Sequence, residues 1–296
     1  MSSNRKDILI VGGDTDHNIL RLVLRCNQLG ISFHAVLVGK ANIPEVTVDV
    51  ATGTLVVDKV KMETRSVFIR PNVFEYLETK DQSAFYKAEA WFGLFMGWML
   101  ASPELKFFNR RYYHRNAVNK LETLLNAKRF GTPVAATFFS NSKLLINEKA
   151  AEKKWIEKPV EGGAFTRKLL ESPVQSGSEN VLVGPVTIQE ELAFPEVRIF
   201  RAGDQLISFK VTSDSLDYRE SNNTKLELVD TPEKLKIPFL KLTDSMGLEF
   251  AAADFKTHPQ TGELHLLEVN SGPMFTGFDR ISDGRLTQMM IDWLKN

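Results

Sequence analysis

Two apolar runs near the end of the chain constrain its folding most. LEFAAADF (Leu248–Phe255) and LHLLEVN (Leu264–Asn270) are separated only by a polar stretch holding Pro259, Thr261 and Gly262. Apolar runs of this length bounded by turn formers read as strands, and their close spacing reads as a hairpin. Each run carries polar residues that a buried strand does not need: Asp254 in the first, Glu268 and Asn270 in the second. Ser271, Gly272 and Pro273 then stop the strand. Side chains alternate along a strand, so Glu268 and Asn270 share a face with Leu266, and His265 points to the other face. If Thr257 pairs with Glu263 around the five-residue loop His258–Gly262, Asp254 lies opposite Leu266. It is then diagonal to Glu268, about 7–8 Å away. An even-length loop would send Asp254 to the opposite face. Two carboxylates and an amide oxygen form a hard, all-oxygen set of the kind Mg²⁺ takes, with water and phosphate completing the shell. On spacing alone, a strand end with solvated polar residues is the alternative.

The rest of the chain supplies α/β modules. DILIVGGD reads as a strand and a Gly turn, Asp16 caps a helix to Leu29, Gly30 stops it, and SFHAVLV is the next strand. VTVDVATGTLVVD reads as a hairpin turning at Thr52–Gly53, SVFIRP as a strand, and Ser83–Ala101 as an apolar helix. Strand, helix and strand in succession predict a parallel pair. GGDTDH lacks the G-x-G-x-x-G spacing of a dinucleotide fingerprint and reads as a strand-to-helix turn. The basic, aromatic segment KFFNRRYYHRN reads as a connector between modules. Asn116 caps a helix through Lys128, KKWIEKPV and VTIQEEL are strands, and EVRIFRAGDQLISFKV is a hairpin turning at Gly203–Asp204. IPFLKLTDSMG is a short helix. The last helix, near Asp283–Lys295, carries a stripe of Leu286, Met289, Met290, Trp293 and Leu294.

Composition excludes several classes. Thirty-seven basic residues balance 37 acidic ones, which leaves no surplus to drive binding to nucleic acid or an anionic membrane. Cys26 is the only cysteine, so neither a disulfide nor a thiolate metal site is expected, in keeping with a reducing cytoplasm. The N-terminus has no signal-peptide pattern, and the apolar stretch Trp91–Ala101 is about half the ~20 residues that span a bilayer.

Four segments, in order, resemble the ATP-grasp ligases. AVNKLETLLNAKRFGTPVAATFF is similar to the family's opening helix, WIEKPVEGGAF to its nucleotide-lysine strand and Gly loop, VTIQEEL…EVRIF to its adenine hinge, and AAADF…LLEVNSGP to its metal-binding D…ExN strands. The resemblance covers roughly residues 109–296. It implies an α/β chain with a pre-ATP-grasp domain over 1–108 and an ATP-grasp domain over 109–296, divided into a lid subdomain at about 116–192 and a metal-binding subdomain at about 193–296. LLEVNSGPMFTGFD resembles the RimK-like amino-acid ligases. KVTSDSLDYRE and SVFIRP resemble segments of the microviridin-type peptide ligases, with departures at Tyr218 and NSGP.

That resemblance also implies roles. Lys120 and Lys158 neutralise phosphates, and Gly162 and Gly163 let backbone approach them. Glu190, Glu191 and Leu192 meet adenine, and Glu196 accepts from ribose hydroxyls. Asp254, Glu268 and Asn270 hold Mg²⁺, with Mn²⁺ as a substitute. Arg198 braces the transferred phosphate, and Arg219 and Arg280 receive a substrate carboxylate. None of the scattered histidines is assigned a role. The implied reaction is ADP-forming carboxylate–amine ligation through an acyl phosphate, on small-molecule or peptide carboxylates and amines, with the protein free or as a homo-oligomer. Two alternatives stand beside it: a ligase that crosslinks peptide side chains through ester or amide bonds, and an ATP-binding regulator without turnover.

Overall fold

The computed structural model describes residues 5–39, 43–71, 79–113, 119–152, 154–160, 166–171, 180–213 and 223–296. It divides into two compact units, one of Met1–Arg110 with Met274–Asn296, the other of Arg111–Pro273.

In the first unit β1 (Lys6–Gly13) is the middle strand of a parallel sheet, between β2 (Phe33–Val38) and a strand at Thr64–Ile69. Ile8, Leu9 and Ile10 are all fully buried, because a parallel strand is covered on both faces. Helix α1 (His17–Gln28) begins where Asp16 accepts the Asn18 N–H at 2.8 Å, and ends before Gly30 at φ +64°. Gly12, within β1 near its end, lets α1 pack close, since a Cβ there would meet Ile19 Cγ1 at 2.4 Å. A small antiparallel sheet of β3 (Val46–Asp49), β4 (Thr54–Val57) and β5 (Val60–Lys61) precedes β6, the strand at Thr64–Ile69. Helix α2 (Gln82–Ala101) is the apolar helix expected, capped by Asp81. Among the described residues no helix is long and apolar enough to cross a membrane.

In the second unit α3 (Lys120–Arg129) is capped by Asn119, whose side chain accepts from the Glu122 N–H at 3.1 Å. The cap expected at Asn116 lies outside the described residues. A four-stranded antiparallel sheet follows, in the order β7 (Thr137–Ser142), β10 (Val181–Glu190), β8 (Trp155–Lys158), β9 (Arg167–Lys168). Helix α4 (Lys143–Ala151) follows β7, and its Ile146 and Ala150 pack with Trp155 and Ile188. A five-stranded antiparallel sheet runs β13 (Lys225–Val229), β12 (Gln205–Thr212), β11 (Ala193–Ala202), β14 (Phe250–Thr257), β15 (Leu264–Asn270). β11 and β12 turn at Gly203–Asp204, as expected, with Ala202 paired to Gln205. Helix α5 (Glu233–Met246) is longer than the short helix expected and contains Pro238. Proline costs the helix a hydrogen bond, but Leu235, Phe239, Leu242 and Met246 repay it by burial on the sheet, at about 1.5–3 kcal/mol per large side chain.

The hairpin register differs from the expected one. Thr257 pairs with Leu264, not Glu263, so the residues between the paired ends are the six from His258 to Glu263. A bulge then follows: Phe255 pairs with Leu266, but Asp254 pairs with Glu268. Leu267 is the extra residue, and an extra residue reverses the alternation. The even loop and the bulge cancel, so Asp254 and Glu268 share a face as expected. Two details change. Leu266 pairs with Phe255 on the core side, away from Glu268. His265 pairs with Lys256 and lies on the same side as Glu268.

After Pro273 the chain returns to the first unit through α6 (Thr276–Ile281) and α7 (Arg285–Lys295). The domain read over 109–296 includes these helices; by contact they group with Met1–Arg110. Leu286, Met289, Met290 and Leu294 of the expected stripe are buried, and Trp293 stacks on Phe108 at 4.1 Å. Buried Asp279 ties the segment down. It accepts from Arg21 Nε at 2.6 Å, from the Thr287 N–H at 2.8 Å and from Thr287 Oγ1 at 3.0 Å. Asp279→Ala strands these donors and is expected to cost about 3–5 kcal/mol, read as a lower urea midpoint.

Candidate active site

The polar face of the five-stranded sheet is built in rows. Residues paired across antiparallel strands share a face, so Arg198, Asp254 and Glu268 form one row and Glu196, Lys256 and His265 the next. The opposite face, with Val197, Ile199, Ala253, Phe255 and Leu266, packs into the core. Strand alternation therefore separates charge from core at single-residue resolution.

Arg198 Nη1 donates to Asp254 Oδ1 at 2.8 Å and Oδ2 at 3.0 Å, and both side chains are 7% exposed. Asn270 Nδ2 lies 3.3 Å from Asp254 Oδ2 and 3.3 Å from Glu268 Oε1. A single donor bridging two carboxylates marks a spot where their oxygens converge. That convergence fits a small divalent cation, and turning the amide would present its oxygen to the same spot. Among the described residues no three His, Cys, Asp or Glu side chains gather for a metal, so Asn270 is needed to complete this set.

Lys158, at the end of β8, donates to Gln189 Oε1 at 2.9 Å, and Gln189 donates on to Thr137 Oγ1 at 3.1 Å. Burial pushes the Lys158 ammonium below its ordinary range; Lys120 and Lys256 push the same way, while Glu268 and Asp254 oppose. Lys120 Nζ donates to the Pro159 carbonyl at 3.1 Å. The structure thus brings Lys120, Lys158, Asp254 and Glu268 into one electrostatic neighbourhood. Glu196 is buried with Oε2 3.9 Å from Lys256 Nζ, and its Oε1 has no hydrogen-bond partner among the described residues. Burial, then the Asp254 charge, raises its carboxyl to about 8.

Glu190, Glu191 and Leu192 join β10 to β11. The Glu190 N–H donates to the Ala136 carbonyl and that of Glu191 to the Lys154 carbonyl, both at 2.8 Å; Leu192 is buried. Arg280 is exposed on α6 in the first unit. Gly162, Gly163 and Arg219 lie outside the described residues. Sequence reasoning missed Lys256, Gln189 and His258. The first had a signal, since Lys256 is two residues after Asp254 and alternation places both on one face.

Solved structures share this architecture. PsnB, an ATP-grasp ligase complexed with minimal precursor, Mg and ADP, superposes with a TM-score of 0.73 at 20% identity, over 97% of each chain. The macrocyclase MdnC from Microcystis aeruginosa MRC, bound with its precursor peptide MdnA, gives 0.73 at 20% identity, over 97% of this chain and 99% of that one. D-alanyl-alanine synthetase A from Vibrio cholerae gives 0.60 at 16% identity, over 99% and 98%. The chain has the ATP-grasp ligase fold. No protein-family model matches it, and no curated protein matches its sequence. The charged rows lie on the larger sheet, and Lys158 and Gln189 on the smaller one.

The raised Glu196 pKa has a thermodynamic consequence. The folded protein holds a proton that the unfolded chain releases near its ordinary value of 4.5. The stability this proton contributes is full below about pH 4.5 and is lost as pH rises through about 8. Urea unfolding across this window is expected to show that decline in the wild type and its absence in Glu196→Gln.

Proposed function

We propose that the protein is an ATP-dependent, ADP-forming carboxylate–amine ligase of the ATP-grasp type, acting on an amino acid or a peptide. The observation that carries this reading is the convergence of Asp254, Glu268 and Asn270 on one face, with Arg198 and Lys158 beside them. The oxygens of Asp254, Glu268 and Asn270 would hold Mg²⁺, which supplies neutralising charge for nucleotide phosphates. Lys158 and Lys120 counter phosphate charge, and Arg198, held by Asp254, presents the rest of its planar fork to the transferred group.

The substrate carboxylate attacks the γ-phosphorus, the bond to the β–γ bridging oxygen breaks, and ADP leaves with that oxygen. An amine then attacks the acyl carbon, phosphate departs, and the amine proton passes to solvent or base. Catalysis is chiefly positioning and electrostatics. The lid subdomain that the resemblance implies at about 116–192 would keep water from the acyl phosphate.

Crosslinking of a precursor peptide is the second reading. PsnB and MdnC, which share the fold at full length, are each complexed with a precursor peptide. A neutral chain with one cysteine and no membrane-crossing helix among the described residues suits a cytoplasmic setting for either substrate.

Phosphate release from Mg²⁺-ATP with pooled carboxylates and amines, followed by product mass, tests the reading. Lys158→Ala and Glu268→Ala are each expected to abolish ADP formation while circular dichroism stays native. Full activity in either variant defeats the assignment, and nucleotide binding without turnover across the whole panel favours a regulator.

A further inference from the structure

The smaller sheet of the second unit carries a relay of hydrogen bonds that begins at Lys158 and ends in the main chain. Lys158 pairs with Thr187 and Gln189 pairs with Thr137, so all four side chains lie on one face. The other face, with Trp155 and Ile188, packs against Ile146 and Ala150 of α4. Lys158 Nζ donates to Gln189 Oε1 at 2.9 Å, Gln189 Nε2 to Thr137 Oγ1 at 3.1 Å, and Thr137 Oγ1 to the Ala135 carbonyl at 2.8 Å. Gln189 is 1% exposed, so no bulk water competes for its amide.

The relay can run in only one direction. A backbone carbonyl accepts and never donates, so the Thr137 hydroxyl directs its proton to Ala135 and accepts from Gln189. The Gln189 amide then turns its nitrogen to Thr137 and its oxygen to Lys158. The carbonyl of Ala135 thus fixes which end of a buried amide meets the ammonium. The opposing pull on Lys158 is electrostatic. Glu268 and Asp254 on the larger sheet attract it, and Lys120 and Lys256 repel it. An ammonium has three N–H groups, and among the described residues only Gln189 takes one.

We infer that Thr137 and Gln189 are positioning residues for Lys158: their relay holds the ammonium at the smaller sheet against the pull of Asp254 and Glu268, with two N–H groups left for an arriving phosphate. This rests on the ligase reading above, in which Lys158 counters phosphate charge. A released Lys158 would pair with the carboxylates. It would then withdraw its charge from phosphate and cancel charge that a divalent cation needs. One threonine hydroxyl therefore supports both partners of a Mg·nucleotide.

The test is calorimetric titration of the full chain with Mg·ADP, with adenosine measured by its displacement of Mg·ADP. Thr137→Val keeps the side chain's shape and removes the hydroxyl that anchors Gln189. It is expected to weaken Mg·ADP binding by about 3–10-fold, the worth of one hydrogen bond, while circular dichroism stays native. Adenosine has no phosphate, and its affinity is expected to be unchanged. Thr137→Ser restores the hydroxyl and is expected to restore the wild-type affinity. Gln189→Met removes the acceptor itself and is expected to cost about 10-fold or more, as for a hydrogen bond to a charged group. It carries the same test if Thr137→Val does not fold. A wild type that binds no Mg·ADP removes the ligase reading and this inference with it. Wild-type Mg·ADP affinity in Thr137→Val or Gln189→Met leaves the nucleotide site standing and overturns the relay. So does a Thr137→Ser as weak as Thr137→Val, or an equal loss of adenosine, which would mark general damage to the sheet.

Discussion

The site depends on an offset between two neighbouring strands. β14 and β15 run in one register beside their loop and in another beyond Leu267. Were the first register to continue, Asp254 would lie opposite Leu267, and Glu268 would fall on the other face from it, among the core side chains. The bulge returns Glu268 to the polar side and leaves Leu266 and Val269 to the core. One inserted residue thereby lets the same strand supply both a packed interior and a carboxylate-bearing polar surface.

Placing so much charge on a partly buried face is unfavourable unless signs alternate. They do: Arg198 lies between Asp254 and the ring of Phe200, Lys256 between Glu196 and the ring of Phe194, and Asn270 bridges two carboxylates. The compensation is incomplete. Glu196 tends to keep its proton and Lys158 to lose one of its own, both chiefly because of burial. Both groups would gain from a ligand carrying hydroxyls and phosphates, so an arrangement imperfect by itself is suited to binding.

Local patterns carried much of the architecture. Alternation and turn residues marked the β11–β12 hairpin at Gly203–Asp204, and Asp16 marked the start of α1. The described helix α3 is capped by Asn119, whose side chain accepts the Glu122 N–H, a position that sequence reasoning did not single out. α5 extends past the proline that local rules treat as a breaker, because its apolar face is held by the sheet. The bulge at Leu267 left no compositional trace, since register follows pairing along the whole strand. Lys256 was legible by simple alternation from Asp254. The contact between His258 and Glu190 was not: it joins a hairpin tip to a strand end nearly seventy positions earlier, and nothing local to either residue announces it.

The return of α6 and α7 to the first unit makes the second unit an insertion within the first. β1 and α1 are among the earliest described residues, yet part of their covering lies in the last helix, which packs on both. A ribosome making this chain from its N-terminus would release the uncovered sheet long before its cover. The inserted unit, contiguous in sequence, could complete its core first, while the older segment waits for the final helix to seal it.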